Sequence, residues 1–173
     1  MERCLLLIDM QEGFISEQTE HVVGRVRELV KQNLFSYQIA TKFINQENSP
    51  YQMILNWDRF KQQSDETNVL SFVEEYSDKV IEKYVYTAVD EKMLSFLSKS
   101  TITEVYLLGI NTDCCVLKTA VDLFEAGIRP VVLAYYCASN GGIESHNAAI
   151  RVLQRLIGKE NVLVEKINSE SFI

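Results

Sequence analysis

Apolar runs of strand length alternate with amphipathic stretches of helix length from one end of this chain to the other, and this alternation limits the fold most. Residues 3–10 (Arg-Cys-Leu-Leu-Leu-Ile-Asp-Met) are apolar without a period of two, the pattern of a strand covered on both faces. Val22, Val26, Leu29, Val30, Tyr37, Ala40 and Ile44 follow a helical stripe that ends at the Asn48-Ser49-Pro50 breaker. The spacing then predicts strands over 51–56, 79–83, 104–110, 130–136 and 161–166. Helices are predicted over 65–76, 90–99, 115–126 and 143–157. Alternation of this kind means a parallel sheet with helices on both faces, a three-layer α/β/α architecture. No linker or repeat divides it, so residues 1–173 are expected to form a single domain. With only seven glycines and two prolines, loops are expected to be few and short.

In an open parallel sheet, ligands bind beyond the carboxyl ends of the strands, so the residues just after each strand carry the functional information. There is no G-x-G-x-x-G after the first strand, no G-x-x-x-x-G-K-[ST] and no G-x-S-x-G elbow, which argues against dinucleotides, nucleoside triphosphates and a serine hydrolase. The net charge of −7 disfavours phosphate backbones and anionic headgroups, so neither nucleic acid nor a membrane is an expected partner. The longest apolar run, Val131 to Ala138, is too short to span a bilayer, and the N-terminal residues lack a signal-peptide pattern. A cytoplasmic protein with free thiols at Cys4, Cys114, Cys115 and Cys137 is the expectation. With His21 and His146 as the only histidines and no C-x-x-C, no cofactor or metal is expected.

The segment Gly109-Ile110-Asn111-Thr112-Asp113-Cys114-Cys115-Val116 places a cysteine at a strand-to-helix turn. The positive end of a helix, capped by Thr112 or Asp113, would favour a thiolate there, and its amides could receive an oxyanion. Asp9, closing the first strand, is the candidate base, and Lys83, closing the third, the candidate cation.

Together with Leu7-Ile8-Asp9-Met10-Gln11-Glu12-Gly13-Phe14 and Glu82-Lys83-Tyr84-Val85-Tyr86-Thr87-Ala88, that segment resembles the isochorismatase-like cysteine hydrolases. This superfamily includes nicotinamidases and N-carbamoylsarcosine amidohydrolases. The three motifs occur in order over nearly the whole chain. The resemblance implies a triad of Asp9, Lys83 and Cys115, with Cys115 rather than Cys114 as nucleophile because it directly precedes Val-x-x-Thr-Ala. It also implies a cis peptide at Ile110–Asn111, an oxyanion hole from the Asn111 and Cys115 amides, and a homo-oligomer, dimer or tetramer. Phe14, Trp57 and Tyr86 are candidate substrate-lining residues, although Phe14 and Trp57 read more readily as core.

One departure bears on the substrate. The stretch Asn56-Trp57-Asp58-Arg59-Phe60-Lys61 keeps an Asp where metal-dependent nicotinamidases carry Asp-x-His, but offers no imidazole, which implies a metal-free member. The expected activity is thioester-forming hydrolysis of a C–N bond in a small amide or ureido substrate. The alternatives from other classes are a non-catalytic small-molecule-binding module and a redox sensor using the adjacent thiols. The expected strand order is 3-2-1-4-5-6. Strands lie about 4.8 Å apart, so in that order Lys83 must lean across the second strand to meet Asp9.

Overall fold

The computed structural model describes residues 2–168. Six parallel strands are ordered β3-β2-β1-β4-β5-β6: β1 Cys4–Ile8, β2 Tyr37–Phe43, β3 Lys79–Lys83, β4 Glu104–Ile110, β5 Arg129–Ala138 and β6 Val162–Leu163. The helices are α1 Glu20–Val30, α2 Pro50–Met53, α3 Ser71–Tyr76, α4 Glu91–Lys99, α5 Leu117–Glu125 and α6 Gly142–Ile157. Every residue of β1 is buried, as its unalternating apolar sequence requires of a central strand. On α1 and α6 the buried positions fall at helical spacing: Val22, Val26, Leu29 and Val30 on one, Ala149, Ile150, Leu153 and Ile157 on the other. Asp90 caps α4 by accepting a hydrogen bond from the Met93 amide at 2.7 Å.

The sequence reading failed between residues 31 and 56. What it took for the second half of a long helix contains β2, and the strand expected over 51–56 is instead the short helix α2 and a loop. The stripe through Tyr37, Ala40 and Ile44 fits a helical period, yet four successive residues, Gln38 to Thr41, are buried, which only a strand sandwiched between layers achieves. α1 ends earlier because Asn33 takes a left-handed conformation, φ 49°. Low glycine and proline content also misled about loops: residues 44–70 hold only α2 and a single 3-10 turn.

One glycine fixes how closely two strands approach. A Cβ on Gly109 would stand 2.1 Å from the Ile8 carbonyl oxygen, and its φ is +126°. Only glycine lets β4 press against β1 at this level, where Ile8 pairs with Gly109. The consequence is functional. The residues that follow, Asp9 on one strand and the Asn111–Cys115 turn on the other, emerge side by side.

Candidate active site

Asp9 leaves β1 in a left-handed conformation, φ 47°, and is wholly buried. Lys83 ends β3 and does lean across β2: its Nζ lies 2.8 Å from Asp9 Oδ2 and donates to Cys115 Sγ at 3.4 Å. The same ammonium donates to the Val85 and Tyr86 carbonyls at 3.0 and 3.1 Å and stands 5.1 Å from the Phe43 ring centroid. The three residues named from sequence therefore meet at the carboxyl end of the sheet. Thr41, on the intervening strand β2, supplies the remaining support by donating to Asp9 Oδ1 at 2.6 Å and accepting from the Asp9 amide at 3.0 Å. Sequence reasoning missed Thr41 because it lay inside the misread helix.

The electrostatics reverse one expectation. The positive helix end was expected to lower the Cys115 thiol. Burial above all, and then the Asp9 carboxylate, push it well above its ordinary value of 9.0, against the pull of Lys83. Counting charges gives the reason. Asp9 and Lys83 already neutralise one another, so a thiolate would be a second anion sharing one cation in a buried site. On Lys83, burial acts to lower the pKa, but Asp9 and Cys115 outweigh it and the ammonium is raised above 10.5. The Cys115 thiol is thus held toward its protonated form beside the buried Asp9–Lys83 pair.

The turn bearing Cys115 also differs from expectation. Thr112–Val116 forms a π-helical turn before α5, and the N-cap is Asn111 rather than Thr112 or Asp113. Asn111 gives no side-chain cap because its Oδ1 accepts from the Asn140 amide at 2.7 Å and from Asn140 Nδ2 at 3.0 Å. Its carbonyl accepts from the amides of Cys114 and Val116 at 3.2 and 3.1 Å, which clamps the turn on either side of Cys115. The Ile110–Asn111 peptide is cis.

Aromatic side chains build the wall around this floor. Tyr51 packs edge-on against Tyr86, with ring centroids 5.1 Å apart, and Trp57 packs among Phe43, Tyr51 and Phe60. Phe14 is buried and stacks on Phe60 at 3.9 Å, so it belongs to the packing behind the wall. Burial first, then Tyr86, Cys115 and Asp9, raises the Tyr51 hydroxyl, which places Tyr51 beside the triad. That residue had been read as the start of a strand. Gln11 and Asn45 hold the surrounding loops. Gln11 exchanges hydrogen bonds with the Phe43 backbone, and Asn45 Nδ2 donates to the Trp57 and Arg59 carbonyls at 2.9 and 3.0 Å. Tyr51 and Tyr86 continue into an open apolar groove of about 430 Å³ walled by Ile54, Leu55 and Val85.

A transition metal finds no donor set beside these residues. Asp58 is exposed, paired with Lys61 at 2.5 Å and bonded by Gln52, and the described residues contain no group of three or more His, Cys, Asp or Glu able to hold an ion. Among the described residues no helix is long and apolar enough to cross a membrane.

Residues 3–162 match the isochorismatase domain family. A search of curated proteins found no match. Among solved structures, an isochorismatase-like hydrolase from Alkaliphilus metalliredigens superposes with a TM-score of 0.82 at 16% identity, covering 99% of this chain and 97% of that one. The nicotinamidase of Bacillus subtilis gives 0.78 at 22% identity over 94% of this chain and 99% of its own. The N-carbamoylsarcosine amidase of Thermoplasma acidophilum gives 0.78 at 20% identity, covering 96% of each chain.

Proposed function

This chain belongs to the isochorismatase domain family, and on that premise we propose that it is a cysteine hydrolase of C–N bonds in a small amide or ureido substrate. The observation that carries the reading is Lys83 Nζ in contact with both Asp9 Oδ2 and Cys115 Sγ, 2.8 and 3.4 Å away in a buried site.

Starting from carboxylate, ammonium and neutral thiol, Asp9 takes the Cys115 proton as sulfur attacks the carbonyl carbon. Negative charge passes from Asp9 to the substrate oxygen, which the amides of Asn111 and Cys115 receive. Lys83 stays protonated throughout and is the countercharge both before and after this transfer. Collapse of the tetrahedral adduct breaks the C–N bond, and the nitrogen leaves with the proton from Asp9. Water then attacks the thioester while Asp9 accepts its proton, and the acid product and the thiol are released. No step requires a metal or cofactor.

The aromatic wall formed by Tyr51, Trp57 and Tyr86 favours a substrate with an apolar or planar body. The proposal includes a cytoplasmic setting, which keeps Cys114 and Cys115 reduced, and a homo-oligomer. Exposed Ile54, Leu55 and Val85, gathered at one groove, support the latter. Ammonia release from a panel of primary amides and carbamoyl compounds tests the activity. Turnover that Cys115→Ala abolishes supports it; turnover equal in wild type and Cys115→Ala overturns it.

A further inference from the structure

Both histidines of the chain stand at one cavity away from the triad. About 430 Å³ in volume, it lies between α1, the carboxyl end of β5 and the start of α6. His21, Arg25 and His146 line its polar side, and Ile143, Ile150 and Val164 its apolar side. Neither Asp9, Lys83 nor Cys115 belongs to its wall.

Arg25 is fixed there. One guanidinium nitrogen donates to the Tyr135 carbonyl at 3.0 Å, and the guanidinium carbon sits 4.3 Å from the Tyr135 ring centroid. This spends one of five donors and leaves a planar fork in a set orientation. His146 Nδ1 is held 2.8 Å from Thr112 Oγ1, which leaves Nε2 as its other polar atom. The three groups oppose each other's charge. After burial, Arg25 depresses protonation of His21, and His21 depresses that of His146; Glu20 and Asp113 act weakly the other way. An anion among them relieves that repulsion.

We propose that this cavity is a second ligand site, for a small organic monocarboxylate with an apolar body. Its carboxylate would pair with Arg25 and the two imidazoles, and its body would lie on Ile143, Ile150 and Val164. Glu17, also in the wall, selects against more highly charged anions such as phosphate. The site is independent of the proposed hydrolysis. Its polar end is one hydrogen bond, His146 to Thr112, from the turn that carries Cys115.

Because the chain has two histidines and both line the cavity, their ring proton NMR signals report on it selectively. Benzoate at millimolar concentration should move both signals saturably and raise both titration midpoints, since a bound anion favours imidazolium. Arg25→Met should weaken this binding about tenfold or more, the effect of losing a charge-assisted hydrogen bond. Ile143→Asp, at an exposed position that tolerates substitution, should weaken it too by placing a carboxylate against the ligand. The proposal is overturned if benzoate moves neither signal, if the shifts persist at equal affinity in both variants, or if inorganic phosphate binds more tightly than benzoate.

Discussion

Thr41 and Asp9 hold each other by two hydrogen bonds through one hydroxyl, which accepts from the Asp9 amide at 3.0 Å and donates to Asp9 Oδ1 at 2.6 Å. That hydroxyl fixes which oxygen of the carboxylate remains for Lys83. Thr41→Val keeps the β-branch but leaves a buried amide and a carboxylate oxygen without their partner, at a cost of about 1–3 kcal/mol. Thr41 is a positioning residue, so kcat should fall while KM stays nearly constant, and Thr41→Ser should restore most of the loss. Equal losses in kcat and stability for the Ser and Val variants would show that only packing is at stake.

The Asp9–Lys83 pair is buried on both sides, with side-chain exposures of 0% and 6%. Removing one partner strands the other charge, so Asp9→Asn and Lys83→Met should each destabilise the fold by about 3–5 kcal/mol. The double variant should be more stable than the sum of the two losses predicts, because no charge is left behind. Urea denaturation of the four proteins measures the coupling. Additive losses would mean that the two groups do not share a buried ion pair.

Asp9, Lys83 and Cys115 were legible because each lies in a motif at the carboxyl end of an expected strand, residues 7–14, 82–88 and 109–116, in the order the family resemblance requires. Lys83 alone reads as a surface lysine. The order of the six strands followed from the same pattern and family resemblance, and it survived the misplacement of β2 because a strand was still expected between α1 and β3. What failed was local. Residues 37–43 satisfy a helical period by accident, since burial on both faces removes the alternation that marks a strand. Thr41 and Tyr51 were lost with it. The state of the Cys115 thiol was not legible at all. It depends first on how deeply the thiol is buried and then on how near the Asp9 carboxylate lies, and both appear only once the strand ends have packed together.

Burial raises the other thiols as well, and this has a consequence for stability. Cys4 and Cys137 are pushed up to about 12 from 9.0, in each case by burial first. Between those limits the folded chain keeps protons that the unfolded chain has released. Their contribution is therefore complete below about pH 9 and is lost as pH rises toward 12, at about 1.4 kcal/mol per pH unit for each thiol. Urea midpoints should fall steeply above pH 9, and less steeply in a Cys4→Ala/Cys137→Ala double variant. An identical slope in the two proteins would contradict the assignment.

The neutral resting thiol leads to an inverted result for Asp9→Asn. In the wild type the thiolate fraction of Cys115 at pH 7 is smaller than that of a free cysteine, since burial and Asp9 both favour the protonated form. Iodoacetamide should therefore modify Cys115 slowly at pH 7, and the rate should rise about tenfold per pH unit to at least pH 9. Asp9→Asn removes the competing anion, so the ammonium of Lys83, 3.4 Å from Sγ, can pair with a thiolate instead. The thiol pKa should fall, and alkylation at pH 7 should speed up in a variant whose turnover has dropped by about 10²–10⁴-fold for want of a base. Peptide mapping must assign the label to Cys115 rather than to Cys114, itself raised to about 11 by burial and Asp113. A wild-type rate that levels off below pH 8, or an Asp9→Asn protein that alkylates more slowly than wild type, would mean that Asp9 holds the thiolate ready before substrate arrives. In that state the Cys115 proton would rest on Asp9, and the thiolate would be the one anion beside Lys83.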